Sequence, residues 1–303
     1  MDKKKLKIAI IAAGAVLLAA AILVGIILLT KPAVKIGFLG VDLTDSEMLQ
    51  FRNRLKKDGY EIYDAYNLES LVQAQCAAWI VRSIDDDKDV QILLEAQDKP
   101  VIFVERRPTL SEPTTYVGAD VEKSAQLLAN IVEELPNGGD GNEDGVTACL
   151  LLCGPKNDAN SALWTQSVTK ELENSQQPVE IMNTTFSPLT ADAGKETCAQ
   201  ELAQYGRDVE VVLAYSDQLI YGAYQAIEGG GWKQGRDGFL IGNGSSEDII
   251  SALQEEKVSG IIWEDRDQLD EMLYTALKDS LSGKAQQHFL LEYKKYIAAY
   301  TNS

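Results

Sequence analysis

The stretch that decides the fold is Val34 to Tyr63, VKIGFLGVDLTDSEMLQFRNRLKKDGYEIY. It opens on a short apolar strand, Val34 to Gly40. A helical pattern follows from Asp45 to Lys57, with Met48, Leu49, Phe51 and Leu55 near one face. Asp58-Gly59 stops the helix, and Tyr60 to Tyr63 reads as the next strand.

The alternation continues to the far end of the chain. Helices are expected over Leu68–Gln75, Asp86–Gln97, Val121–Glu134, Asn160–Asn174, Ala191–Gln204, Asp217–Glu228, Ser246–Glu255 and roughly Asp267–Ser282. Strands are expected over Ala77–Ser83, Lys99–Glu105, Val146–Gly154, Val179–Thr184, Val209–Tyr215, Phe239–Gly242 and Val258–Trp263. Strands alternating with helices build parallel sheets with helices on their faces. About ten such units are too many for one compact sheet, so two Rossmann-like lobes are expected. In such sheets ligands sit beyond the carboxyl ends of the strands, and residues just after each strand become the candidate contacts.

Upstream of this region, residues 8–30 hold an unbroken apolar run from Ile8 to Leu29. At 1.5 Å per residue it spans about 33 Å, enough to cross a bilayer. Lys3, Lys4, Lys5 and Lys7 precede it, so residues 1–7 are expected to form a cytoplasmic basic tail. A cleaved signal would have a shorter apolar core and a small-residue cleavage site. The expectation is a single-pass transmembrane anchor with the folded domain outside the cytoplasm.

The formal net charge is -18, which argues against a nucleic-acid partner and against a flat seat on anionic lipid. His288 is the single histidine, and nothing near it suggests a catalytic partner. No Gly-x-Gly-x-x-Gly follows a strand and no Walker loop is present, so nucleotide-dependent enzymes are disfavoured. The acidic run Asp85-Asp86-Asp87 reads as the start of a helix, where carboxylates suit the dipole. No enzymatic activity is expected. Of the four cysteines, Cys149 and Cys153 share one strand face about 13 Å apart, too far to bond. Buried thiols are expected, with a Cys76–Cys198 pairing left open.

Asp140-Gly-Asn-Glu-Asp-Gly-Val carries oxygen side chains at loop positions 1, 3 and 5 and glycine at 6. That is the arrangement of a calcium loop, with Asp140, Asn142, Asp144 and the Val146 carbonyl as ligands. Position 9 is Ala148 and position 12 is Leu151, so a standard EF-hand fails.

Lys35-Ile-Gly, Lys99-Pro-Val-Ile-Phe-Val-Glu-Arg, Tyr116-Val-Gly-Ala-Asp, Val209-Glu-Val-Val-Leu-Ala-Tyr-Ser-Asp, Gly222-Ala and Gly242-Asn-Gly form an ordered series of strand-end motifs. In that series the chain resembles the periplasmic binding protein type I family, the LacI, ribose-binding and galactose-binding kind. Within it the chain looks most like the galactose/glucose-binding branch. The resemblance implies two lobes joined by three crossing strands. One lobe would comprise 33–105 plus 264–290, the other 106–263 plus 291–303. It implies a solute-binding protein that serves an ABC importer permease. The alternative is a ligand- or calcium-responsive sensor acting through a membrane partner such as a kinase. It also implies that Glu210 supplies the calcium loop's bidentate carboxylate, for a structural Ca2+.

The branch's sugar pocket is only partly matched. Asp45 fits the acidic residue after the first strand. Trp164 stands where a forked arginine belongs, Arg82 replaces an asparagine, Gly244 an aspartate, and Glu47 and Pro188 fall at the ring positions. Asn160 and Ser216 keep polar character, and Glu264 replaces an amide. Glu105-Arg106 falls where relatives place an Asp-Arg pair. Asp45, Glu47, Arg82, Arg106 and Glu264 are expected to line one charged cleft. A charged or zwitterionic ligand, a neutral sugar, and a cleft kept for partner binding all remain open.

Overall fold

The computed structural model describes residues 33–42, 44–82, 93, 99–107, 115–284 and 287–298. The anchor expected over 8–30, the basic tail and nearly all of the helix expected at Asp86–Gln97 lie outside the described residues. Among the described residues no helix is long and apolar enough to cross a membrane.

The first strands are β1 (Lys35–Leu39), β2 (Glu61–Ala65), β3 (Ala78–Val81), β4 (Val101–Val104) and β5 (Thr115–Ala119). The next five are β6 (Thr147–Cys153), β7 (Val179–Phe186), β8 (Val211–Ala214), β9 (Phe239–Asn243) and β10 (Gly260–Glu264). The last two are β11 (His288–Leu291) and β12 (Tyr293–Ile297). The helices are α1 (Ser46–Lys57), α2 (Leu68–Gln73), α3 (Val121–Glu134), α4 (Ala159–Glu173), α5 (Ala191–Tyr205), α6 (Asp217–Gly229), α7 (Glu247–Gln254) and α8 (Leu269–Leu281).

Two six-stranded sheets result. The first runs β2-β1-β3-β4-β5-β11 and is parallel throughout. The second runs β7-β6-β8-β9-β10-β12, with only β12 antiparallel. The chain passes between them three times, at Ala119–Val121, at Glu264–Leu269 and at Leu291–Tyr293. The first lobe was expected to end at Glu105. It continues to Ala119, because residues 115–119 pair with β4 on one side and β11 on the other.

Each crossing carries a helix or strand to the other lobe's core. Leu128, Ile131 and Val132 of α3 pack under the second sheet with Cys149, Leu151 and Leu213. Leu269, Leu273 and Leu277 of α8 pack on the first, with Ile36, Phe38 and Ile80. In α1, Asp45 caps the helix by accepting from the Glu47 and Met48 N–H groups at 3.1 Å. Met48, Phe51 and Leu55 are buried, whereas Leu49 is 49% exposed and lies off the apolar face.

All four cysteines are buried free thiols, so the Cys76–Cys198 pairing left open does not form. Burial pushes the Cys153 thiol up to about 11 and the Cys198 thiol up to about 12, which keeps both protonated and unreactive near neutrality. His288 is exposed on β11, its ring edge-on to Tyr116 at 5.9 Å.

α5 and α6 approach closely through glycines. A Cβ on Gly222 would stand 2.2 Å from the Ala191 carbonyl oxygen and 2.5 Å from the Lys195 nitrogen, both backbone atoms. Gly222→Ala is expected to cost about 1–3 kcal/mol by overpacking. At Gly229 an added Cβ meets nothing within 4 Å, and Gly229→Ala is expected to hold or raise the midpoint of urea unfolding. Equal midpoints for the two variants contradict the packing.

Candidate ligand cleft

The carboxyl ends of both parallel sheets face the region of the crossings, where a doubly wound fold places its ligand. On the first-lobe side, Asp45 follows β1, Arg82 follows β3 and Glu105 follows β4. Arg266 reaches them from the second crossing. Its guanidinium contacts Asp45 at 2.7 Å and Glu105 at 2.5 Å, and Arg82 pairs with the other Glu105 oxygen. Burial pushes the Asp45 carboxyl up, but N–H bonds from Met48 and Glu47 together with Arg266 hold it below its ordinary range. Burial opposes the charge of Arg266, and Glu105 and Asp45 outweigh it, so the guanidinium is held above its ordinary range.

Glu105 adopts a left-handed backbone conformation, φ 63°, which a non-glycine residue takes only under constraint. The constraint is visible. Its N–H donates to the Val117 carbonyl at 2.9 Å, and its own carbonyl accepts from the Asn160 amide at 2.7 Å. The second contact spans the lobes. Beside it the Arg107 N–H donates to Asn160 at 3.3 Å, and Arg106 pairs with Asp158 at 2.5 Å.

A cleft of about 270 Å³ opens next to this cluster. Its walls come from the second lobe and the crossings: Asn160 and Trp164 of α4, Tyr215 to Asp217 after β8, and Asn243 to Ser245 at the end of β9. Trp263, Glu264, Arg266 and Tyr293 of β12 line it as well. Trp164 is fully buried and meets Tyr215 edge-on at 5.3 Å. Among the described residues, two polar atoms of the residues lining it are buried without a partner, the Trp164 indole N–H and the Asn243 Oδ1. A donor and an acceptor left unpaired cost about 1–3 kcal/mol each unless a ligand satisfies them. Asp217 accepts from the Ser245 and Ser246 N–H groups at 2.8 Å, and Ser216 caps α6. Burial holds the Glu264 carboxyl above its ordinary range, against the pull of Arg266.

The structure therefore divides the residues expected at the cleft. Asn160, Trp164, Ser216 and Glu264 line it. Asp45, Arg82, Glu105 and Arg106 stand beside it, tied into ion pairs, and Glu47 lies in the first turn of α1. The one charged cleft expected from Asp45, Glu47, Arg82, Arg106 and Glu264 is thus replaced by a paired cluster next to a mostly neutral cavity. Tyr215, Asp217, Asn243, Trp263, Arg266 and Tyr293 were not read from the sequence. Tyr215 and Asn243 sit at strand ends and were open to that rule. Arg266 lies two residues past its strand, and its partners come from distant parts of the chain.

The 140–146 loop is closed by Glu210, which is 3% exposed. Its carboxylate accepts from the Gly141, Asn142 and Ala148 N–H groups at 2.8 to 2.9 Å. Asp140 accepts from Asp144 and Gly145, Asn142 from Asp144, and Asp144 from Val146. Among the described residues no three His, Cys, Asp or Glu side chains converge as a metal cage. Glu210 Oε1 already accepts two N–H groups, whereas its Oε2, both Asp140 oxygens, Asn142 Oδ1 and Asp144 Oδ1 accept one each and keep a lone pair able to bind a cation.

The sequence profile described as "Periplasmic binding protein domain" matches residues 65–285. The chain belongs to that family. The ribose import binding protein RbsB of Bacillus subtilis is 23% identical over 230 residues, covering 73% of this chain and 68% of that protein. Solved structures share the fold. A carbohydrate transporter solute binding protein from Agrobacterium radiobacter, in complex with D-arabinose, matches with a TM-score of 0.72 at 14% identity, over 89% of this chain and 96% of that one. GanP, a glucose-galactose binding protein from Geobacillus stearothermophilus, matches with a TM-score of 0.69 at 17% identity, over 88% of this chain and 98% of that one. A galactofuranose binding protein matches equally well, with a TM-score of 0.69 at 17% identity, over 88% and 95% of the two chains.

Proposed function

We propose that this periplasmic binding protein is an extracytoplasmic, non-enzymatic receptor for a small sugar, delivering it to an ABC permease in the membrane that anchors it. The observation that carries the reading is the cavity itself, walled by the rings of Trp164, Tyr215, Trp263 and Tyr293 with the polar Asn160, Ser216, Asn243 and Glu264 among them. A hydroxyl both donates and accepts, so a polyhydroxy ligand matches a lining of mixed donors and acceptors. The aromatic walls supply apolar surface for the ring carbons. A volume of about 270 Å³ suits a monosaccharide rather than a long oligosaccharide. The names of RbsB and of the arabinose-bound relative point the same way.

The apolar run over 8–30 supports the anchor. It starts the domain a few residues from the bilayer, so the receptor works on a partner within a short radius. The Asn160 and Arg106 contacts give the lobes a way to close on the ligand.

Isothermal titration of the full chain with ribose, arabinose, galactose and glucose tests the reading. At least one is expected to bind at micromolar Kd or tighter, and Asn243→Ala is expected to weaken it about tenfold. Absence of binding by any sugar contradicts it.

The same reading keeps Asp140, Asn142, Asp144, the Val146 carbonyl and Glu210 as a structural Ca2+ site. It is supported by the donor types and by Glu210 closing the loop. With Ala148 giving no side-chain ligand, the site is expected to be weak, filling near millimolar Ca2+. Calcium is expected to raise the melting temperature of the wild type, and Glu210→Gln to abolish the rise. An unchanged melting temperature in the wild type removes the site.

A further inference from the structure

Every other carboxylate at the cleft is provided for. Asp45 and Glu105 hold Arg266, and Glu105 also holds Arg82. Asp158 holds Arg106, and Asp217 accepts two backbone N–H groups. Glu264 differs. Among the described residues its carboxylate has one hydrogen bond, a long one of 3.4 Å from the Tyr293 hydroxyl, which faces it across the β10–β12 pairing. Among the described residues no lysine or arginine forms an ion pair with it.

Its surroundings add a second observation. Trp164, Tyr215, Trp263 and Tyr293 line the same cavity. Nine cation–ring contacts in the described residues fall on eight other rings, and none uses these four. Aromatic rings around a lone carboxylate attract an ammonium by both its charge and the rings' quadrupoles. A neutral sugar satisfies the hydrogen bonds of Glu264 but leaves its charge balanced only by the pull of Arg266, whose ion pairs go to Asp45 and Glu105. Burial already holds this carboxyl above its ordinary range, against the pull of Arg266. The formal charge of -18 also draws small cations toward the protein.

We propose that the cleft is specific for an amino sugar or a comparable aminated polyol, with the protonated amine on Glu264 and hydroxyls on Trp164 and Asn243. This rests on the sugar-receptor reading and narrows it. The Arg266 cluster matters here as well. Because it is neutralised by Asp45 and Glu105, it does not repel a cationic ligand from the neighbouring wall.

The test is calorimetric titration of the full chain at neutral pH with D-glucosamine and D-galactosamine, against D-glucose, D-galactose, D-ribose and D-arabinose. An amino sugar is expected to bind at least about tenfold tighter than its hydroxyl parent. Glu264→Gln is expected to bring that ratio to about one. A neutral sugar that binds as tightly as the aminated ones overturns the inference and leaves the receptor reading standing. A wild-type preference that persists in Glu264→Gln overturns the role of Glu264. If nothing in the panel binds, the receptor reading falls and this inference with it. The wild-type comparison decides the ligand class even if the substitution unfolds the protein.

Discussion

The Arg266 guanidinium reaches from the second crossing to Asp45 and Glu105, 221 residues away in sequence in the case of Asp45. Through Glu105 it also engages Arg82. One side chain thus gathers the carboxyl ends of β1, β3 and β4 at the point where the chain changes lobes. Partly buried acids and cations need each other, since removing one leaves an uncompensated charge. The cluster neutralises the first-lobe rim and removes it from the ligand's reach. What remains open is the wall built by the second lobe and the crossings.

That division explains an asymmetry in the cleft. Its unpaired donor and acceptor, its aromatic rings and its unpaired carboxylate all belong to the second lobe or the connecting strands. The first lobe contributes contacts of another kind, the Glu105 carbonyl and Arg107 N–H to Asn160 and the Arg106 side chain to Asp158. Those join lobe to lobe. The strained Glu105 stands where the two lobes meet.

Much of the fold was legible because periodicity is local. Val121–Glu134, read as a helix from its apolar spacing, is α3, and the buried runs 147–153 and 239–243 are β6 and β9. β5, β11 and β12 were not read as strands. β11 and β12 are short, are separated by Glu292 alone and join different sheets, so their identity comes from pairing partners far away. The same holds at the site. Asn160, Trp164, Ser216 and Glu264 were reached through the resemblance to the galactose/glucose-binding branch. Asp45 and Arg82 were reached that way too, yet Arg266 and Glu105 claim them. Ion pairing across the tertiary fold has no signature in the spacing of residues.

The central claim is that Arg266 and the first-lobe acids act as a unit. A double-mutant cycle in urea on the full chain tests it, with Arg266→Met, Glu105→Gln and both together. The account expects the double variant to lose about 1–3 kcal/mol less than the sum of the single losses. Single losses that add to within about 0.5 kcal/mol contradict it.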